Sequence, residues 1–140
     1  MLDETYTFRF AVRIYYEDTD AAGVVYYANY LKFTERARSE WLRSMDIELD
    51  ELARNEGVLF PVRSLTARYD QPAQLGDLID IHCRLDAIGV ASMTLSQMVT
   101  RGDESLFHGT VKLACVDART FRPKRLPSIV LNKLNSWKTQ

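Results

Sequence analysis

Three acids stand close together in the stretch YYEDTDAAGVVYYANYLKF, Tyr15 to Phe33: Glu17, Asp18 and Asp20. Ala21, Ala22 and Gly23 follow, and a helical pattern begins near Ala28. A carboxylate in such a place can serve as a general base or a nucleophile. The start of a helix offers unpaired backbone N–H groups with the helix dipole behind them, which bind an anion or polarise a carbonyl oxygen. No Ser, Thr or Asp directly precedes Ala28; Tyr26 and Tyr27 stand where a cap would be sought. A carboxylate seven residues before Tyr27, across a Gly-containing turn, could face the same point and make half of a hydrolytic site. The competing reading is plain turn chemistry, since Asp and Gly are ordinary turn residues, with Asn29 capping the helix.

Other chemistry has weaker footing. His82 alternates with Ile81 and Cys83, and His108 shares parity with Thr110 and Lys112. Both read as polar-face strand residues. No Cys, His and acid cluster has metal-ligand spacing, so neither a metal nor a cofactor is implied. Cys83 and Cys115 each sit in an apolar run without partner spacing and read as buried free thiols. Neither a G-x-S-x-G elbow nor a phosphate-binding glycine loop is present, which removes the common serine-nucleophile and nucleotide-binding readings.

The elements that must position the acidic loop follow from periodicity. Tyr6, Phe8, Phe10, Val12, Ile14 and Tyr16 alternate with mostly polar residues, which predicts a long strand with one buried face. After the loop the period becomes helical. Tyr30, Phe33, Ala37 and Trp41 share one face, Lys32, Glu35, Arg36 and Arg43 the other. Arg36 with Glu40 and Glu35 with Arg38 have the spacing of surface ion pairs. A weaker helical stretch ends at Gly57. Four further strands are predicted over 58–69, 78–85, 91–100 and 106–117, joined largely by short turns that imply antiparallel pairing. The expected fold is α+β, a five-stranded antiparallel sheet with one dominant helix, in a single domain over 1–140 with a C-terminal extension at 129–140. One helix covers only one face of such a sheet. Apolar residues on both parities of 58–65 therefore point to a homo-oligomer formed through a sheet edge or a sheet face.

The 140 residues are 46% hydrophobic and 26% charged with net charge -1, which suits one globular domain and argues against a general nucleic-acid or anionic-membrane binder. No run approaches a membrane span and the N-terminus lacks a leader pattern, so a cytoplasmic protein is expected.

The segment YYEDTDAAGVVYYANYLKFTERARSEWLR resembles the signature of hotdog-fold thioesterases of the 4-hydroxybenzoyl-CoA thioesterase class, especially the YbgC-like acyl-CoA thioesterases. The similarity continues through PVRSLTARYDQPAQLGDLI and VKLACVDARTFRPKRLP. It implies a sheet wrapped around one long helix, assembly as dimers or tetramers, and active sites at the subunit interface. The implied catalytic carboxylate is Asp20, with Asp18 holding the loop. Backbone N–H near Tyr27 would bind the thioester carbonyl, and Gly23 and Val25 would lie against substrate. Water attack would release the acid and CoA, with Asp20 as nucleophile or general base. Many YbgC-like members have His at the position of Tyr27 and Gly at that of Ala22; Tyr there is closer to the hydroxybenzoyl-CoA branch. Arg119, Arg122, Lys124 and Arg125, with Arg63 or Arg68, are candidates for the CoA phosphates. Two alternatives stand beside an acyl-CoA substrate: a hotdog hydratase or dehydratase, which would want a His at the site, and a binding module for acyl carrier protein or another acyl thioester.

Overall fold

The computed structural model describes residues 4–139. Strand β1 (Phe8–Arg13) leads through a 3-10 turn (Tyr16–Asp18) to the long helix α1 (Asn29–Ser44) and a short helix α2 (Leu49–Asn55). Then come β2 (Val58–Leu59), β3 (Val62–Tyr69), β4 (Leu78–Ile88), β5 (Ser92–Arg101), β6 (Glu104–Ala114) and β7 (Val116–Asp117), and helix α3 (Ser128–Lys138) closes the chain. Five strands form one sheet in the order β1-β4-β5-β6-β3, every neighbouring pair antiparallel. Short β2 and β7 pair separately. This is the expected α+β hotdog arrangement: a five-stranded antiparallel sheet and one dominant helix.

The period-two pattern places Phe8, Phe10 and Val12 of β1 opposite Cys83, Ile81 and Ile79 of β4, all on the face toward α1. Helix α1 presents Phe33, Ala37 and Trp41 to that face, each 1% exposed or less. Burying rings of this size contributes about 2 to 3 kcal/mol apiece, so α1 is fixed by its apolar stripe rather than by its caps. It packs against β1 and β4 and leaves β3 uncovered. Every residue of β3 is exposed, including Val62 at 49% and Leu65 at 40%.

Several expectations need correction. The predicted strand 58–69 is broken at Phe60 and Pro61, where proline has no N–H to give a ladder; β2 turns away to pair with β7. Strand β1 begins at Phe8, and Tyr6 lies on the other side of the sheet, with its hydroxyl 3.2 Å from His108 Nε2 and the Arg84 guanidinium 4.7 Å above its ring. That outer face is polar. His82 lies on it as expected, yet it is buried, with Nε2 2.9 Å from Thr100 Oγ1. The exposed Val62 and Leu65 of the sheet sit on the β3 edge. The segment expected as an extension is the amphipathic helix α3. Its Val130 and Leu134 are buried and Trp137 meets Trp41 edge-on at 6.0 Å. The i, i+4, i+7 spacing of these three was a readable helical signal.

No helix among the described residues is long and apolar enough to cross a membrane. No group of three or more His, Cys, Asp or Glu among them could hold a metal ion.

Candidate active site

The acidic loop is a tight hairpin. Thr19 bridges Val25, the Asp20 N–H donates to the Val24 carbonyl at 2.9 Å, and the Gly23 N–H donates back to the Asp20 carbonyl at 3.0 Å. Gly23 has φ +80, so the chain turns over Ala21 and Ala22 and then passes through a left-handed residue, as three-residue hairpin loops do. A Cβ at Gly23 would meet nothing within 4 Å, so within the chain the glycine serves φ and not close approach. One Asp20 oxygen, Oδ1, accepts the Ala22 N–H at 2.9 Å. The second, Oδ2, has no partner among the described residues. Asp18 is committed to structure at both ends: its Oδ2 accepts the Tyr15 N–H at 2.9 Å, and its carbonyl accepts from the Tyr26 N–H at 3.0 Å and the Asn29 side chain at 2.8 Å.

Asn29 is therefore a clamp between hairpin and helix, not the cap. Ala28 occupies the N-cap position with no side-chain bond, and the N–H groups of Tyr27 and Ala28 have no acceptor among the described residues. The helix start is otherwise well braced. Tyr69 donates its hydroxyl to the Tyr27 carbonyl at 3.0 Å, and Tyr30 accepts the Ala73 N–H at 3.0 Å. The Val25 N–H donates to the Ala73 carbonyl at 2.9 Å, which ties hairpin to the 72–77 loop. That loop is held in turn by Asp77, which accepts from Gln74 N–H at 2.8 Å and from Arg101 at 2.6 Å.

A hollow of about 200 Å³ opens here, lined by Val25, Tyr27, Tyr30, Tyr69, Asp70, Gln71 and Pro72. Two of the sequence-predicted site residues, Val25 and Tyr27, thus share one wall. Asp20 and Gly23 lie in the adjoining hairpin and do not line it. Tyr69 and the 70–72 segment were missed in the sequence. Tyr69 ends an alternating strand, and nothing in its spacing marks it as belonging to the helix start 42 residues earlier.

The basic candidates lie elsewhere. Arg63 is on β3 beside a register shift next to Val62. Arg119 and Arg122 sit in the turn after β7, which is built on Asp117: its Oδ1 accepts the Arg119 and Thr120 N–H groups. The guanidinium groups of Arg63, Arg119 and Arg122 have no partner among the described residues. All three lie toward the Val62 end of β3, whereas Tyr69 at the other end carries the hollow. Seven strand steps of about 3.3 Å separate those ends by about 23 Å. Within one chain the predicted phosphate ligands are thus remote from the hairpin.

The expected surface pairs on α1 also rearrange. Glu40 bonds Arg43 rather than Arg36. Arg38 turns inward, is 8% exposed, and donates to Gln97 Oε1 at 2.9 Å instead of meeting Glu35. Both histidines are on the outer sheet face, away from the hollow.

A sequence profile described as the thioesterase-like superfamily matches residues 14–134. The chain belongs to that superfamily. Among thioesterase-like relatives, it is 40% identical over 123 residues to the acyl-CoA thioesterase YbgC of Haemophilus influenzae, covering 88% of this chain and 90% of that protein. It is 38% identical over 128 residues to the acyl-CoA thioester hydrolase YbgC of Escherichia coli, covering 91% and 95%. The crystal structure of a "probable thioesterase" from Bartonella henselae superposes with TM-score 0.81 at 36% identity, over 85% of this chain and 98% of that one. The hairpin, the helix start and the hollow all fall within the matched span of this thioesterase-like chain.

Proposed function

We propose that this thioester hydrolase cleaves acyl-CoA to free acid and CoA, with Asp20 as the reacting carboxylate and the N–H groups at the start of α1, near Tyr27, polarising the thioester carbonyl. The observation that carries the reading is the clamp through Asp18 and Asn29. It fixes a hairpin with a half-free carboxylate against a helix start where the Tyr27 and Ala28 N–H groups have no acceptor among the described residues. Attack on the carbonyl carbon pushes charge onto its oxygen. Preorganised N–H donors stabilise that charge without reorganising during the reaction. Asp20 either adds to the carbon itself, giving an anhydride that water opens, or takes the proton of an attacking water. In both routes the carbonyl carbon–sulfur bond breaks and CoA leaves as its thiol. Val25 and Tyr27 wall the hollow beside that carbonyl, and Gly23 turns the adjoining hairpin.

Assembly supplies what one chain keeps apart. Edge strand β3 has unpaired backbone groups and exposed Val62 and Leu65, and pairing it antiparallel with a second copy covers both. Antiparallel pairing also brings the Val62 end of one chain beside the Tyr69 end of the other. Arg63, Arg119 and Arg122 of the second copy then approach the hairpin of the first, where the CoA phosphates need cations. A homodimer, or two dimers as a tetramer, follows from this reading. A hydratase or dehydratase is disfavoured because neither histidine reaches the hollow. Acyl carrier protein remains a second thioester carrier that the same site could accept.

The test is release of free thiol from aliphatic and aromatic acyl-CoA by the wild type and by Tyr27→Phe. Turnover within about twofold in the two proteins is expected, because Tyr27 contributes its backbone. A loss of tenfold or more in Tyr27→Phe would assign the role to the hydroxyl instead.

A further inference from the structure

The peptide between Tyr27 and Ala28 stands at the start of α1 and has a single anchor. The Asn29 N–H donates to the Tyr26 carbonyl at 2.8 Å, which closes a turn over Tyr27 and Ala28. Ala28, at φ -71 and ψ -19, fits the third position of a type I turn. The middle peptide of such a turn takes no part in the bond that closes it, so its tilt is set from outside. Here the Tyr69 hydroxyl sets it, donating to the Tyr27 carbonyl at 3.0 Å. No other donor among the described residues reaches that carbonyl. The Ala28 N–H, on the far side of the same peptide, has no acceptor among them either.

Tyr69 is itself held in position. It ends β3, and its ring meets Phe107 at 5.1 Å, Tyr30 at 5.5 Å and Tyr27 at 6.3 Å, each edge-on. These contacts fix the ring, so the hydroxyl reaches the carbonyl without a search among rotamers. Burial raises the Tyr69 pKa, with smaller contributions from Tyr27 and Tyr30, and the group stays a donor throughout the neutral range. Antiparallel pairing through β3 uses the backbone groups of the edge and leaves this bond within the chain. A trans peptide is planar, with its C=O and N–H pointing in opposite directions. A donor on the carbonyl therefore aims the N–H. It also draws electron density that makes the N–H a stronger donor, a cooperative effect of about 10 to 30% per bond.

We propose that Tyr69 is a positioning residue for the reaction: through the Tyr27–Ala28 peptide it aims and polarises the Ala28 N–H, which becomes a second donor to the thioester oxygen beside the Tyr27 N–H. This rests on the thioesterase reading above for the group that meets those donors. Tyr69 itself touches no reacting atom. Its effect is greatest when charge builds on the oxygen, since a donor aimed at that charge in advance stabilises it without rearranging. The contribution therefore falls on kcat and not on KM.

The experiment pairs kinetics with a spectroscopic readout in wild type and in Tyr69→Phe, which keeps the ring contacts and removes only the hydroxyl. For butyryl-CoA, kcat is expected to fall about tenfold with KM within about twofold, a fraction of the hundredfold or more that loss of a whole donor costs. The probe is the butyryl-CoA ketone in which CH2 replaces the thioester sulfur, 13C-labelled at the carbonyl and followed by infrared difference spectroscopy. Its carbonyl stretch is expected to drop in frequency on binding wild type, and Tyr69→Phe is expected to give back at least about 10% of that drop. Unchanged kcat, or a loss confined to KM, overturns the proposal. So does a variant that loses rate while the stretch stays as in wild type, since the role would then be merely structural. Tyr69→3-fluorotyrosine at about pH 6, well below tyrosine titration, serves if Tyr69→Phe does not fold. Its more acidic hydroxyl is expected to deepen the drop, and an unchanged stretch overturns the proposal. The hydrolase reading is judged apart: it fails if wild type cleaves neither butyryl-CoA nor benzoyl-CoA. A stretch that still responds to the Tyr69 hydroxyl then supports the aimed N–H, and a ketone that keeps its free frequency in the presence of wild type refutes it.

Discussion

Replacing Asn29 by Ala removes the side chain that ties the helix start to the acidic hairpin. The structure sets the size of the effect. The Asn29 amide donates to the Asp18 carbonyl at 2.8 Å, and the Tyr26 N–H shares the same carbonyl at 3.0 Å, so the acceptor is not orphaned when the amide goes. Loss of one such bond costs about 1 kcal/mol. Alanine is the better helix former by a few tenths of a kcal/mol, which leaves a net loss of about 0.5 to 1 kcal/mol. For a domain of this size that lowers Tm by about 2 to 4 °C. The effect on rate should be larger. The one direct hydrogen bond left between Asp18 and the helix start would be that from the Tyr26 N–H, and a displacement near 1 Å at a reacting carboxylate can cost about a hundredfold. We expect kcat for acyl-CoA cleavage to fall at least about tenfold at a temperature where the variant is fully folded, with KM little changed. Differential scanning calorimetry and steady-state thiol release measure the two quantities. Unchanged kcat in a variant whose Tm has dropped would break the proposed link between the clamp and the chemistry.

Burial pushes the Cys83 thiol up to about 12, against a smaller opposing effect of Gln97, and burial raises Cys115 too. Neither thiol should react with a disulfide reagent at pH 8 in the native protein, and both should react in guanidinium; a native thiol signal would contradict the buried placement. Leu65→Lys puts a charge on the β3 edge and should convert the assembly to monomers in sedimentation, with loss of activity; a dimer that persists would rule out pairing through this edge. Burial acts to raise the Asp77 carboxyl, but the Gln74 N–H and Arg101 outweigh it and the net displacement is downward. A depressed folded-state value gives stability that is present above the unfolded value near 4 and lost as pH falls through the folded one. Acid unfolding of the wild type should therefore be steeper below about pH 4 than that of Asp77→Asn, and coincident curves would remove Asp77 from the account.

Local patterning carried the strands, the long helix and the turn-like acidic loop into view, because each is set by periodicity or by residues a few positions apart. What was hidden depends on long-range pairing. Tyr69 reaches the Tyr27 carbonyl only because the 62–69 strand ends beside the helix start. Arg38 has the spacing of a surface partner for Glu35, and it is buried because Gln97 from β5 supplies an acceptor. Tyr6 fits the alternation of β1 but follows the outer-face partners Arg84 and His108 instead. Helix α3 was legible from Val130, Leu134 and Trp137, and the basic composition around it hid that signal. In the proposed pairing the Arg63, Arg119 and Arg122 set acts on a second chain, which a single sequence pattern could not show.

The most direct measurement is kcat for acyl-CoA cleavage by Asp20→Asn, followed by thiol release in protein shown to be folded and assembled like the wild type. Asparagine keeps the size of the side chain and can still accept the Ala22 N–H through its oxygen, so the hairpin should stand. The account expects kcat to fall by about a hundredfold or more, on the scale of a lost general base or nucleophile. Turnover within about threefold of the wild type would show that the carboxylate of Asp20 is only a turn residue.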